Sequence, residues 1–95
     1  MSDVIEAAVT ALNEKIDGGF DGVAKFTIEG EGDIIIDSDG ARAGDGDAEV
    51  TLSADADTFQ AILSGDMNAT SAFMTGKLTV DGDMGKAMQL GAILS

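Results

Sequence analysis

The segment Ser71-Ala-Phe-Met-Thr-Gly-Lys-Leu-Thr-Val-Asp-Gly-Asp-Met-Gly-Lys-Ala-Met-Gln-Leu90 changes its hydrophobic pattern twice within a short length. It opens with an apolar helical turn around Phe73, and it then alternates so that Leu78 and Val80 share one face of a strand. Asp83 begins a second helix, because acids favour a helix N-terminus. The inner face predicted for this helix has apolar residues at helical spacing: Met84, Ala87, Met88, Gly91 and Leu94.

The N-terminal part of the chain predicts a helix followed by a β-hairpin. Residues 3–16 form an amphipathic helix that ends at Gly18-Gly19, because apolar residues recur at three- and four-residue steps. Residues 22–29 alternate, with Ala24, Phe26 and Ile28 on one face. A turn at residues 30–32 leads into the apolar run at residues 33–37, and the two runs together indicate the hairpin.

The middle of the chain predicts one more strand and two helices. Residues 38–46 are polar and rich in glycine, so we expect a loop with at most a short edge strand, before a strand that contains Ala48, Val50 and Leu52. The next helix starts near Asp55 and Asp57. Its apolar face has Phe59, Ile62 and Leu63, and Gly65 ends it. Asn68 is predicted to cap a short helix whose Ala72 and Phe73 side chains point inward.

These elements predict an α+β fold, with one mostly antiparallel sheet and helices on one face. A chain of 95 residues has room for one hydrophobic core, so residues 1–95 are predicted to form a single domain. No apolar run approaches the roughly 20 residues that cross a bilayer. We find no secretory signal pattern in the N-terminal residues and expect a cytoplasmic location.

The charge balance excludes several classes of partner. Eighteen acids against five bases give a net charge of -13. Nucleic acid binding is excluded, since Lys and Arg supply most of the affinity for phosphates. Direct docking on an anionic membrane is disfavoured for the same reason. The acidic surface could instead recognise a basic protein partner.

The sequence gives little support for a catalytic site or a metal site. The chain has no His, Cys, Tyr or Trp, so the usual general bases and activated nucleophiles are missing, and we predict no enzyme activity and no cofactor. Two acidic, glycine-rich loops suggest calcium sites at first. In the loop that starts at Asp37, Arg42 stands where an EF-hand needs Gly, and in the loop that starts at Asp45 that place is taken by Val50. Neither loop is predicted to bind metal.

The pattern Phe73-Met-x-Gly-Lys-Leu-x-Val-x-Gly-Asp-Met-Gly-x-Ala-Met-x-Leu90 resembles the closing segment of the sterol carrier protein type 2 family. Two further stretches agree with that family, Asp47-Ala-Glu-Val-Thr-Leu-Ser53 and Ile62-Leu-Ser-Gly-Asp-Met-Asn68. The resemblance implies a five-stranded sheet with helices packed over one face, enclosing an apolar tunnel for lipid. It also implies a non-catalytic carrier of an apolar small molecule, such as a fatty acid, acyl-CoA or sterol-like lipid.

With that resemblance, the candidate ligand-binding residues are the apolar side chains expected on inner faces. The clustering of methionines in the last third suits a pliable lining, since Met repacks around varied shapes, although Met also fills ordinary cores. Lys77 is the candidate for an anionic head group, or else a solvent-facing lysine. The predicted lining is Phe26, Ile28, Phe59, Ile62, Phe73, Leu78, Val80, Met84, Met88 and Leu94.

A second interpretation stays open at the level of sequence. The tunnel could be closed into an ordinary core, because a dry pocket of about 300 Å³ would cost on the order of 7 kcal/mol. The chain would then be an interaction or scaffold module that accompanies a lipid-metabolising enzyme.

Overall fold

A computed structural model describes residues 3–16 and 20–94 of the chain. Helices and strands follow one another in the predicted order, and the polar segment contains a short edge strand. The elements are α1 (Asp3–Lys15), β1 (Ala24–Ile28), β2 (Gly32–Asp37), β3 (Gly40–Ala43), β4 (Val50–Ala54), α2 (Ala56–Ser64), α3 (Ala69–Met74), β5 (Leu78–Gly82) and α4 (Met84–Leu94). The predicted helix end at Gly18-Gly19 lies outside the described residues.

The five strands form one sheet in the order β3-β2-β1-β4-β5. β1 runs parallel to β4, and the other three pairings are antiparallel. Phe26 at the centre of β1 lies opposite Ile34 of β2 and Leu52 of β4. The predicted α+β class, with a five-stranded, mostly antiparallel sheet, is therefore confirmed.

Strict alternation decides which face of the sheet is buried. In β1 and β4 every second residue is buried, because successive side chains point to opposite faces of a strand. The helices cover the inner face, where the Phe26 ring meets the Phe59 ring of α2 at 4.3 Å between centroids and an interplanar angle of 61°. This edge-on contact lies at the centre of the core.

The connection from β3 to β4 crosses the opposite face of the sheet. The Lys25 ammonium, on that outer face, pairs with the Asp45 carboxylate of the connection at 3.0 Å. A Cβ placed on Gly46 would lie 4.0 Å from Ile35 Cδ1, so the connection covers the buried Ile35 side chain. The connection thus covers this part of the outer face.

The helix ends follow the caps predicted from the sequence. The Asp55 carboxylate accepts a hydrogen bond from the Thr58 N–H at 2.7 Å and begins α2. That bond holds the pKa of Asp55 below its ordinary value of 3.8. Gly65 ends α2 in the left-handed region with φ 88°, and the Asn68 side chain accepts from Thr70 and Ser71 at the start of α3.

The predicted inner faces of α3 and α4 are partly wrong. Phe73, Met84 and Met88 were expected to point inward, but they are 42%, 46% and 74% exposed. The buried residues of α4 are Ala87, Leu90, Gly91 and Leu94. Because α4 has apolar residues on most of its circumference, helical spacing alone did not identify the stripe that meets the core.

Candidate functional site

An apolar groove of about 260 Å³ opens between α3, α4 and the β4–β5 edge of the sheet. Its side chains are apolar with one exception, and they come from two strands and two helices. The lining is Leu52, Ala69, Thr70, Phe73, Met74, Leu78, Val80, Met84, Ala87, Met88 and Gly91. We call it the α3–α4 groove.

Buried strand residues lie beneath the groove, and small helix residues stand at its sides. Leu52 and Leu78 are 1% and 3% exposed and belong to the closed core. A Cβ on Gly91 of α4 would lie 3.5 Å from the Ala69 Cβ of α3, so the two helices touch there. The small side chains let the backbones approach closely without filling the space beside them.

Large apolar side chains surround the opening. Phe73, Met74, Met84 and Met88 are the exposed large hydrophobic residues of the described chain, and all four line this groove. Contiguous exposed apolar surface of this kind marks an interaction or ligand site in proteins. Methionine suits such a site because its flexible thioether adapts to different shapes.

The position of α4 is fixed at its first residues. Gly82 has φ 107°, and a Cβ there would collide with the Glu49 carbonyl. The Asp83 N–H donates to that same Glu49 carbonyl at 3.0 Å, and the Asp83 carboxylate accepts from the Lys86 N–H at 3.2 Å. The Lys86 ammonium in turn donates to the Asp21 carbonyl at 2.7 Å. These bonds hold the helix that carries Met84 and its neighbours.

The open side of the groove lowers the free-energy cost of leaving it empty. A sealed, dry cavity of this volume would cost about 6 kcal/mol, a large part of the roughly 5–15 kcal/mol by which a domain is stable. Since the groove opens to solvent, it is not a sealed void, and this full cost does not apply to it. The apolar space can therefore exist without collapse.

A second groove, of about 310 Å³, lies between α1 and α2. Phe59 forms part of its wall, and its other lining residues are mostly small. They are Val4, Ala7, Ala8, Ala11, Gln60, Leu63 and Ser64. None of these residues is shared with the α3–α4 groove.

The predicted lining residues fall into separate places. Five of them meet in the α3–α4 groove: Phe73, Leu78, Val80, Met84 and Met88. Phe26, Ile28, Ile62 and Leu94 lie in the closed core, and Phe59 borders the second groove. Lys77 lines neither groove, and its charge helps to lower the pKa of Asp55. Whether each of them contacts a ligand stays a prediction.

Sequence reasoning missed six residues of the α3–α4 groove as binding residues: Leu52, Ala69, Thr70, Met74, Ala87 and Gly91. The sequence contains one pattern that could have identified some of them. Ala69 with Phe73, and Ala87 with Gly91, stand four residues apart on consecutive helices, and residues at that spacing share a helix face. Small residues on facing helices indicate a close helix contact beside a strand.

Other kinds of site find no support in the part of the chain that the structure describes. Within residues 3–16 and 20–94, no helix is long and apolar enough to cross a membrane. No group of three or more acidic residues there is arranged to hold a metal ion.

Comparison with known proteins identifies the relatives of this fold. A family model described as the SCP-2 sterol transfer family matches residues 6–95. A Xenopus tropicalis protein named hydroxysteroid dehydrogenase-like protein 2 is 32% identical over 99% of this chain. A Yarrowia lipolytica protein named fatty acid-binding protein is 33% identical over 92% of this chain and 65% of its own length.

Solved structures agree with the fold. The sterol carrier protein 2 of Yarrowia lipolytica in its apo form has a TM-score of 0.66 at 27% identity, covering 97% of this chain and 84% of that one. The Aedes aegypti sterol carrier protein 2, solved in complex with palmitate, has a TM-score of 0.79 at 22% identity, covering 100% and 97%. The chain spans only 24% of the length of the Xenopus protein.

Proposed function

Because the chain belongs to the SCP-2 sterol transfer family, we propose that it is a non-catalytic carrier that holds an apolar ligand in the α3–α4 groove. The observation that carries this proposal is the location of the exposed large hydrophobic residues. Within the described chain all of them border one apolar groove. A bound apolar molecule would cover them and gain about 25 cal/mol for each Å² of apolar surface removed from water.

The relatives support a lipid as the ligand. The Yarrowia lipolytica relative is named a fatty acid-binding protein, and the Aedes aegypti structure contains palmitate. Catalysis is not expected of this chain, because it lacks His, Cys and Tyr and Thr70 is the one polar side chain in the groove. The single domain over residues 1–95, the cytoplasmic location and the basic protein partner stay predictions.

Native mass spectrometry of freshly purified protein, followed by organic extraction, tests the proposal. We expect a bound species of lipid mass that extraction removes. The double variant Met74→Asp/Met88→Asp, at exposed positions, should lose the adduct because it places charge at the groove opening. The matched control Gln60→Asp/Ser64→Asp adds the same charge at exposed positions of the second groove and should keep it.

Two results would contradict the carrier function. One is a protein that carries no apolar ligand and takes up none when alcohols, fatty acids or sterols are added. The other is loss of the adduct in the control variant with retention in the Met74/Met88 variant, which would move the ligand to the groove between α1 and α2.

A second candidate function is an interaction module, and the second groove favours it. That groove lies on the α1–α2 side and shares no residue with the α3–α4 groove, and the Xenopus tropicalis relative is about four times longer than this chain. If this function holds, the chain should co-elute in gel filtration with the part of the Xenopus tropicalis relative that this chain does not match. Separate elution would contradict the interaction module and leave the carrier as the one proposed function.

A further inference from the structure

We propose that Met74, Met84 and Met88 form a modification site, at which a hydroperoxide converts their thioethers to sulfoxides and so weakens the binding of an apolar ligand in the α3–α4 groove. This regulation rests on the proposed carrier function, because it acts on the ligand site proposed above. Three features support it: the position of the methionines, their exposure and the scarcity of polar groups around them.

Methionine sulfur is the side-chain group of this chain that a hydroperoxide oxidises most readily. The chain has five Met and no Cys, His, Tyr or Trp, and methionine sulfoxide is a common product of oxidants in proteins. Three of the five methionines line the α3–α4 groove. Oxidation of side chains is therefore concentrated at the proposed ligand site.

The methionines differ in how well an oxidant in solution reaches them. Met74 and Met88 are 79% and 74% exposed, and Met84 is 46% exposed. Met67 is partly buried against the core and lines neither groove. Since susceptibility to oxidation follows exposure, we expect Met74 and Met88 to react first, Met84 next and Met67 last.

The reaction transfers one oxygen atom from the hydroperoxide to the sulfur. The thioether sulfur attacks one peroxide oxygen, the O–O bond breaks, and a sulfur–oxygen bond forms. With hydrogen peroxide, the proton of the attacked oxygen passes to the leaving oxygen and water is released. The sulfur is oxidised by two electrons and the peroxide is reduced by the same two. Methionine sulfoxide reductases reverse the change, with a dithiol that becomes a disulfide and a second molecule of water.

A sulfoxide at the groove opening opposes the binding of an apolar ligand. It turns a flexible apolar side chain into a polar one, and a bound ligand would exclude water from the new oxygen. Thr70 is the one polar side chain of the lining, and Lys77 and Lys86 adjoin lining residues in the chain without lining the groove. The Thr70 hydroxyl has one proton to donate. Each sulfoxide that the ligand covers without a donor should lower the affinity roughly tenfold.

Oxidation at these positions should leave the fold intact. Met74 is not among the buried residues of α3, and Met84 and Met88 are not among those of α4. Changes at exposed positions usually have small effects on stability. The modification therefore acts on ligand affinity and not through unfolding.

The state of the groove should control the modification. A ligand in the α3–α4 groove would cover sulfur atoms that the oxidant has to reach. The empty carrier is then the form that is oxidised, and the loaded carrier is protected. Oxidation would thus withdraw empty molecules from ligand uptake until a reductase restores the thioethers.

Peptide mapping measures where oxidation occurs. The delipidated chain is treated with hydrogen peroxide, digested with trypsin and analysed by mass spectrometry. Trypsin cuts after residues 77 and 86, so Met84 and Met88 fall on separate peptides, and fragmentation distinguishes Met67 from Met74 on a third. Met74 and Met88 should be oxidised several-fold faster than Met67. Saturating palmitate should slow oxidation of the three groove methionines relative to Met67.

A binding measurement tests the consequence for the ligand. Titration calorimetry with palmitate, before and after peroxide treatment, should show an affinity that is lower by roughly tenfold or more in the oxidised chain. The midpoint of urea denaturation should stay nearly constant. Two methionine sulfoxide reductases, one for each sulfoxide epimer, should together restore the affinity in the presence of a dithiol.

Two variants assign the effect to the groove. Met74→Leu/Met84→Leu/Met88→Leu replaces the thioethers by side chains of similar size, which hydrogen peroxide does not oxidise. Its palmitate affinity should be the same before and after treatment. Met67→Leu is the matched control, because it removes a sulfur outside the groove and should show the same loss on oxidation as the native chain. Each variant is compared with its own untreated form.

The outcomes separate this regulation from the carrier function. Unchanged palmitate affinity after oxidation of all three groove methionines would overturn the modification site and leave the carrier function in place. An equal loss of affinity in the triple leucine variant would do the same, as would oxidation of Met67 ahead of the groove methionines. Equal oxidation rates with and without bound palmitate would also overturn it. Failure of the untreated chain to bind palmitate or any other apolar ligand would overturn both.

Discussion

Two halves of the molecule share one sheet, but their helices pack against it differently. On the β1–β2 side, Leu12 of α1, Phe59 of α2, and Phe26 and Ile34 of the strands fill the space between helices and sheet, with no exposure. On the β4–β5 side, small residues of α3 and α4 leave a groove. Where helices meet the sheet, large side chains thus go with a filled core and small ones with an open groove, whereas the second groove is lined by residues of α1 and α2 alone.

The two halves also differ in where their large apolar residues point. In the closed half they point at the sheet, and in the groove half Met74 and Met88 point largely into solvent. We therefore expect the closed half to contribute more of the stability, and we propose the groove half as the ligand surface. This division is what the following substitutions test.

The largest expected difference in the free energy of unfolding is between the variants Phe26→Ala and Met88→Ala. Removing the fully buried Phe26 ring leaves a cavity against Phe59, and the free energy of unfolding should fall by about 3–5 kcal/mol. Met88 is 74% exposed, so its truncation should change that free energy by less than about 0.5 kcal/mol. Urea denaturation of both variants measures the contrast. Equal losses would mean that the two halves are packed alike.

Two glycines next to the groove should respond in opposite ways to alanine. Gly82→Ala places a Cβ against the Glu49 carbonyl at φ 107°, and should cost about 1–3 kcal/mol of stability. Gly91→Ala, inside α4 and in ordinary contact with Ala69, should raise stability by up to about 1 kcal/mol through helix propensity. Thermal unfolding distinguishes them. Stabilisation by Gly82→Ala would contradict the close approach of this glycine to β4.

The closed half was easier to predict from sequence than the groove half. Ala24, Phe26 and Ile28 alternate with polar residues, and this pattern allows one choice of buried face. In α4 the apolar residues Met84, Met88, Leu90 and Leu94 surround the helix, so the pattern allows several faces and the prediction chose partly the wrong one. The tertiary contacts of α4 with α3 and β4, which the sequence pattern does not contain, select the face.

The cap at the start of α2, in the closed half, should have a smaller effect on stability, and this effect depends on pH. The Thr58 N–H lowers the pKa of Asp55 in the folded protein below its ordinary value of 3.8. The resulting stabilisation is present above that value and is lost as the pH falls through the folded pKa. Asp55→Asn keeps a good cap at every pH. The stability of the native chain should therefore exceed that of Asp55→Asn above about pH 4 and converge with it in more acidic solution.

Urea denaturation of the two proteins between about pH 6 and pH 2.5 measures this convergence. Asp57→Asn is the matched control, since Asp57 lies in the same first turn and does not cap it. A constant difference between the native chain and Asp55→Asn across this range would contradict the capping role of the Asp55 carboxylate.

The smallest expected effect belongs to the ion pair on the outer face. The Asp45 carboxylate accepts from the Lys25 ammonium, and this bond raises the pKa of Lys25. Because Asp45 is largely exposed, Asp45→Asn should change stability only slightly at low salt and not measurably in 1 M salt. A large loss that persists in high salt would show that the β3–β4 connection depends on this pair.

The groove was only partly predictable for a physical reason. Sequence identifies apolar residues, but whether Leu78 and Ile62 face a core or a ligand depends on the size of residues that oppose them in space. Met84 and Met88 were predicted to line a ligand tunnel through an inward orientation, and in the structure they border the α3–α4 groove as exposed side chains. Family resemblance indicated the ligand class, and the location of the ligand in the α3–α4 groove is our proposal from the groove's lining.

Methyl NMR of the methionines tests most directly whether the α3–α4 groove holds the ligand. With ¹³C-methyl methionine, titration with decanol and with palmitate should shift the Met74, Met84 and Met88 signals and give contacts to ligand protons. Met67 packs against the core outside both grooves, so its signal should stay in place. Unchanged signals of the three groove methionines at saturating ligand would contradict the account.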